Sequence, residues 1–110
     1  LFLTYTIEEI VMNQDIFTSF VRIPNSNLLI DAYMACPIGG GSYPGIVVIQ
    51  EIFGVNAHIR NVTERIARLG YAAISPAIFQ RIAPDFETGY TPQNILTGRS
   101  YKEQTKASEL

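Results

Sequence analysis

The chain has 110 residues, of which 47% are hydrophobic, and a net charge of −2 from eight basic and ten acidic side chains. This suffices for one core but not for two domains of ordinary size, and the thinly spread basic residues form no stripe on which a phosphate backbone could lie, so nucleic acid is not an expected partner. The longest apolar run, 45–49, is about five residues against the roughly 20 that a membrane span needs, so no membrane contact is expected either.

In chain order, the opening stretch 1–12 is partly apolar but lacks a basic start and contains Glu8 and Glu9, which makes it a poor signal peptide. Residues 15–23 and 28–36 are β-rich runs separated by Pro24-Asn25-Ser26-Asn27, a cluster of turn formers, and read as an antiparallel hairpin. The connection 37–44 contains Gly39-Gly40-Gly41. Next, 45–50 is apolar without alternation, which suits a strand covered on both faces, as in a parallel sheet.

A helix should follow. Ile59, Val62, Ile66 and Leu69 recur on one face, while Arg60, Asn61, Glu64, Arg65 and Arg68 take the other. Asn56 can cap its start and Gly70 its end. Residues 71–75 make a second short buried strand stopped by Pro76, which completes a right-handed βαβ unit. The segment 82–98 is punctuated by Pro84, Gly89, Pro92 and Gly98 and reads as loose, and 100–110 is polar and helix-prone. Starting at Leu1 and stopping at Leu110 inside that stretch, the chain reads as part of a larger unit.

Few residues can carry chemistry. One cysteine and one histidine leave no internal disulfide and too few ligands for an ordinary zinc site, so neither metal nor cofactor is called for, and a reducing, cytoplasmic setting is the simplest fit. The triple glycine is no phosphate loop, because no Gly-Lys-Ser/Thr follows and it precedes a strand. A nucleophile elbow needs small residues two before and two after, and an N–H on the next residue. Cys36 has Met34 and Ile38 at the flanks and Pro37 next, so it reads as a buried small hydrophobe. Ser75 is followed by Pro76, Ser42 has Pro44 at its second flank, and Ser100 has Lys102 there. His58, in the first helical turn, reads as a surface histidine without a catalytic role.

Ligands bind outside the carboxyl ends of the strands in such sheets, where Gln50, Glu51, Ile52 and Phe53 fall. Glu51 is either a solvated carboxylate where a strand emerges or a functional one facing the ligand crevice, and the residues alone leave the two readings level. The Ile52 N–H occupies the strand-to-helix loop that commonly gives an α/β-hydrolase one oxyanion donor.

Gln50-Glu51-Ile52-Phe53-Gly54-Val55-Asn56, followed by a helix, Gly70-Tyr71-Ala72-Ala73 and Pro76, resembles the N-terminal half of the dienelactone hydrolase family over roughly 28–81. These α/β-hydrolases open carboxymethylene-butenolide rings in the degradation of aromatic compounds. The resemblance implies an α/β fold, with an antiparallel hairpin followed by a βαβ unit of a mostly parallel sheet. Residues 1–110 would then be the N-terminal portion of a single, incomplete α/β-hydrolase domain.

It also implies hydrolysis of a small-molecule lactone or carboxylic ester by a cysteine nucleophile. Glu51 would contact that cysteine and help control its ionisation, and the Ile52 N–H would join the oxyanion hole. An arginine gripping the substrate carboxylate is expected after the second parallel strand, with Arg81 and Arg99 as candidates. The chain departs from the family at Pro76-Ala77-Ile78-Phe79, where many members read Pro-Asp-Leu-Tyr, so a different pocket is expected. The Gly-x-Cys-x-Gly elbow, aspartate and histidine are expected downstream, and the 110 residues alone are expected to be inactive. Two alternatives stay open: a carboxylesterase of the same fold with serine in the elbow, and a non-catalytic module binding a small molecule or partner through an open sheet edge.

Overall fold

The computed structural model describes residues 15–39 and 41–106, so the opening stretch 1–12, Gly40 and the end of the polar segment 100–110 lie outside the described residues. Six elements follow in the order β1 (Ile16–Asn25), β2 (Leu28–Pro37), β3 (Gly45–Val47), α1 (Ala57–Arg68), β4 (Ala72–Pro76) and α2 (Pro92–Gln104). The four strands form one mixed sheet in the spatial order β1-β2-β4-β3.

β1 and β2 make the expected antiparallel hairpin, paired from Ile16 with Pro37 to Asn25 with Leu28. The turn is tighter than the run of turn formers suggests, because Pro24 and Asn25 still belong to β1 and Ser26, at φ 56°, makes the reversal. Proline is tolerated there because β1 is an edge strand among the described residues and one side of its backbone has no ladder partner among them.

β3 and β4 pair in parallel across α1, which is the expected βαβ unit, and β4 pairs antiparallel with β2 on its other side. The β3 ladder ends at Val47, and the Val48 N–H donates once more to the Ile74 carbonyl at 2.8 Å. Uniform coverage of 45–50 does not hold. Val48 and Gln50 are buried, whereas Val47 and Ile49 are 59% and 61% exposed. The strand alternates because only β4 flanks it among the described residues and α1 packs against β2 and β4.

α1 starts and stops as its sequence dictates. The Asn56 side chain accepts from the Ile59 N–H at 3.1 Å, and Gly70, at φ 101°, takes the left-handed position after the last turn. Its buried stripe is Ile59, Thr63 and Ala67 rather than the expected Ile59, Val62, Ile66 and Leu69, and Leu69 is exposed. Thr63 escapes a hydropathy count, yet its hydroxyl is satisfied by the Ile59 carbonyl at 2.8 Å, so it can be fully buried against the sheet.

The segment read as loose holds the start of a second helix. Thr91 caps α2 by accepting from the Asn94 N–H at 3.1 Å, and Pro92 occupies the first turn, where its missing N–H costs nothing. Between β4 and α2, the chain folds over a cluster of Phe79, Phe86 and Tyr101, whose ring centroids lie 4.9 to 6.0 Å apart. Among the described residues, no helix is long and apolar enough to cross a membrane.

Candidate active site

β3 delivers Gln50 and Glu51 to its carboxyl end, and the two side chains part there. Gln50 is buried, accepts from the Ile78 N–H at 3.0 Å and donates to the Glu51 carbonyl at 3.0 Å. It thereby ties the exit of β3 to the turn after β4. The Glu51 side chain is 57% exposed, and the His58 Nε2 lies 3.9 Å from its Oε1, beyond hydrogen-bond range. His58 is itself exposed, in line with the surface position read from its sequence.

The loop from Glu51 to Asn56 is short and heavily braced. The Gly54 N–H donates to the Glu51 carbonyl at 3.2 Å, and Gly54 forms a second antiparallel bridge to Glu87. At φ 86°, with the Phe86 carbonyl where a Cβ would stand, position 54 admits only glycine. The Thr88 N–H donates to the Phe53 carbonyl at 3.0 Å, and the Phe53 and Tyr90 rings meet edge to face at 4.5 Å. Tyr90 also receives a hydrogen bond from the Asn56 Nδ2 at 3.0 Å, so one asparagine caps α1 and anchors the loop. Arg60 donates to the Val55 carbonyl at 2.8 Å and to the Glu87 carboxylate at 2.9 Å.

The Ile52 N–H of this braced loop has no acceptor among the described residues, as is also the case for the Phe53 and Asn56 N–H groups, and on its carbonyl side Ile52 is packed against Gly98 of α2. Gly98 is the buried residue of α2, and a Cβ at that position would collide with that carbonyl. A glycine inside a helix costs about 1 kcal/mol relative to alanine, so the close approach explains a residue the helix itself disfavours.

The other sequence candidates lie around this loop to different degrees. Arg81 donates through Nη2 to Asn25 of the hairpin turn, to its Oδ1 at 2.6 Å and its carbonyl at 3.2 Å. Arg99 is exposed and directly follows Gly98, on the element that touches Ile52. Cys36 is half-buried in β2 rather than fully enclosed. A cleft of about 630 Å³ opens between the hairpin, the start of α1 and the turn after β4, with Tyr33, Val55, Gln80 and Phe86 in its wall. Neither Glu51 nor Ile52 lines it, although Val55 of their loop does, together with Arg60 and Glu87.

Sequence reasoning placed Gln50 at this strand end but missed Arg60, Glu87, Tyr90 and Gly98 as parts of the site, Gly98 reading as the end of a loose segment.

The arrangement has counterparts. The model of the dienelactone hydrolase family matches residues 30–109. The chain belongs to the dienelactone hydrolase family. A Synechocystis sp. protein named "Putative carboxymethylenebutenolidase" is 59% identical over 99 residues, which are 90% of this chain and 40% of that protein. An Azospirillum brasilense protein of the same name is 51% identical over 79 residues, covering 72% of this chain and 31% of its own length. Among solved structures, a "Putative Dienelactone Hydrolase" from Klebsiella pneumoniae superposes with a TM-score of 0.67 at 35% identity, over 78% of this chain and 36% of that one. The chain therefore spans well under half the length of these relatives. Its hairpin and βαβ unit are one part of an α/β-hydrolase fold.

Proposed function

We propose that the protein to which these residues belong hydrolyses a small lactone or carboxylic ester by covalent thiol catalysis, with the cysteine, aspartate and histidine downstream of this stretch. The observation that carries the reading is the Ile52 N–H at the carboxyl end of β3, which has no acceptor among the described residues and lies in a loop braced through the Glu51, Phe53 and Val55 carbonyls. A backbone donor fixed before the reaction stabilises a developing oxyanion without reorganising, and loss of one such donor costs about 10²- to 10³-fold in rate. The exposed Glu51 carboxylate stands one residue before it and is available to a thiol brought to the same end of the sheet.

In the proposed reaction a thiolate attacks the substrate carbonyl and the oxyanion is held by backbone N–H groups. The ring or ester C–O bond then breaks to leave an acyl-enzyme, and water releases the acid. Glu51 helps set the ionisation of the thiol. Arg99 is the better placed of the two arginines to meet a substrate carboxylate, because Arg81 is already engaged by Asn25. The name of the Synechocystis relative supports a carboxymethylene-butenolide as substrate, and with it a role in aromatic compound degradation. A cytoplasmic location follows from the same reading.

The test is to assay the full-length protein on a carboxymethylene-butenolide and on p-nitrophenyl acetate, before and after treatment with iodoacetamide. Turnover that iodoacetamide abolishes is expected. Turnover blocked instead by a fluorophosphonate would assign a serine in the elbow, and saturable binding without turnover would make the protein a non-catalytic module.

A further inference from the structure

Ile52 and the residues that follow it are held from two directions by residues that belong to no catalytic group. From one side, α2 lies so close that only a glycine fits at position 98 against the Ile52 carbonyl. From the other, the Arg60 guanidinium spans the loop and the strap that follows the aromatic cluster, donating to the Val55 carbonyl at 2.8 Å and reaching both Glu87 oxygens at 2.9 and 3.4 Å. Glu87 in turn pairs with Gly54, and Thr88 beside it donates to the Phe53 carbonyl at 3.0 Å. Ile52 thus lies against the helix, and the three residues after it are held by a strap that is adjacent to that helix in sequence.

We infer that Gly98 and Arg60 are positioning residues for the Ile52 N–H, so that α2 and the strap 86–90 set the geometry of the oxyanion donor. The inference rests on the proposed hydrolase reading. Neither residue touches the substrate; each acts by fixing where the Ile52 amide stands. A β-carbon at 98 must push either the helix or Ile52 itself, through its carbonyl and Cβ, and a shift of that residue carries its N–H with it; a hydrogen-bond donor displaced by a fraction of an ångström loses much of its effect on a transition state. Removing the Arg60 guanidinium frees the Val55 carbonyl and the strap together, which lets the loop drift without altering β3.

The experiment uses the full-length protein, with active sites titrated by thiol labelling and p-nitrophenyl acetate as substrate. Gly98→Ala and Arg60→Gln are each expected to lower kcat per titrated site by roughly 10- to 100-fold while KM stays within about twofold of the parent. Glu87→Gln should act through the same clamp, so that Arg60→Gln with Glu87→Gln loses little more than Arg60→Gln alone. In both single variants the amide resonances of Ile52 and Phe53 should shift while those of β1 and β2 stay in place. A merely structural role would lower the thermal midpoint or the yield and leave kcat per titrated site unchanged, and that result overturns the inference. Should Gly98→Ala fail to accumulate as folded protein, Arg60→Gln decides by the same readouts. A parent protein that turns over no ester or lactone would sink the hydrolase reading and this inference with it, a result distinct from unchanged kcat in the variants.

Discussion

β4 and β3 are neighbouring short apolar strands joined by one helix, yet they live in different surroundings. β4 is flanked by β2 and β3, and its Ala73 and Ser75 are fully buried. β3 has β4 on one side only among the described residues, and Val47 and Ile49 stand more than half exposed. Similar composition gives opposite burial, because burial is decided by what lies alongside a strand. The same contrast continues past their ends: β4 runs into a turn packed over an aromatic cluster, while β3 runs into a loop that keeps a carboxylate and an amide free.

The harshest way to probe this contrast is to place a charge in each strand of the 110-residue chain. Ala73→Lys buries an ammonium with no partner and is expected to cost about 3–5 kcal/mol in urea unfolding, enough to leave the chain unfolded. Val47→Lys on the exposed side of β3 should fall within about 0.5 kcal/mol of the parent. Equal losses at the two positions would mean that β3 is as enclosed as β4.

Gln50 and Glu51 sharpen the same comparison at the strand exit. Gln50→Leu leaves the Ile78 N–H without its acceptor and should destabilise by about 1–3 kcal/mol, read from the denaturation midpoint. Asn56→Ala removes the cap of α1 and the bond to Tyr90, and about 1 kcal/mol is expected from the cap, with helix fraying visible in amide exchange near Ile59. Glu51→Gln should change stability least, by under about 0.5 kcal/mol, because its carboxylate is exposed and makes no hydrogen bond among the described residues. In the full-length protein the same substitution should depress turnover, which would separate Glu51 as a functional group from Gln50 as a structural one.

Much of the frame was legible in the sequence because it is fixed locally. The turn formers at 24–27, the Asn56 cap and Gly70 each specify a conformation within a few residues, and the structure follows them. The features that were misread depend on residues far away in sequence. α1 buries Thr63 and Ala67 because the sheet beneath selects that face, and hydropathy periodicity cannot see the sheet. The alternation of β3 reflects its flanking by β4 alone among the described residues rather than its own composition. Gly98 read as part of a loose segment because its reason for being glycine is the Ile52 carbonyl, 46 residues earlier in the sequence. At the candidate site, Glu51 and Ile52 were named through their motif, while the bracing by Arg60, Glu87 and Tyr90 is tertiary throughout.

The central claim is that these residues hold a pre-set oxyanion donor and a regulatory carboxylate for a nucleophile carried elsewhere in the protein. The most direct measurement is p-nitrophenyl acetate turnover by the full-length protein beside that of the purified 110-residue chain. The account predicts iodoacetamide-sensitive turnover by the first and none above buffer by the second, and turnover by the 110-residue chain alone would contradict it.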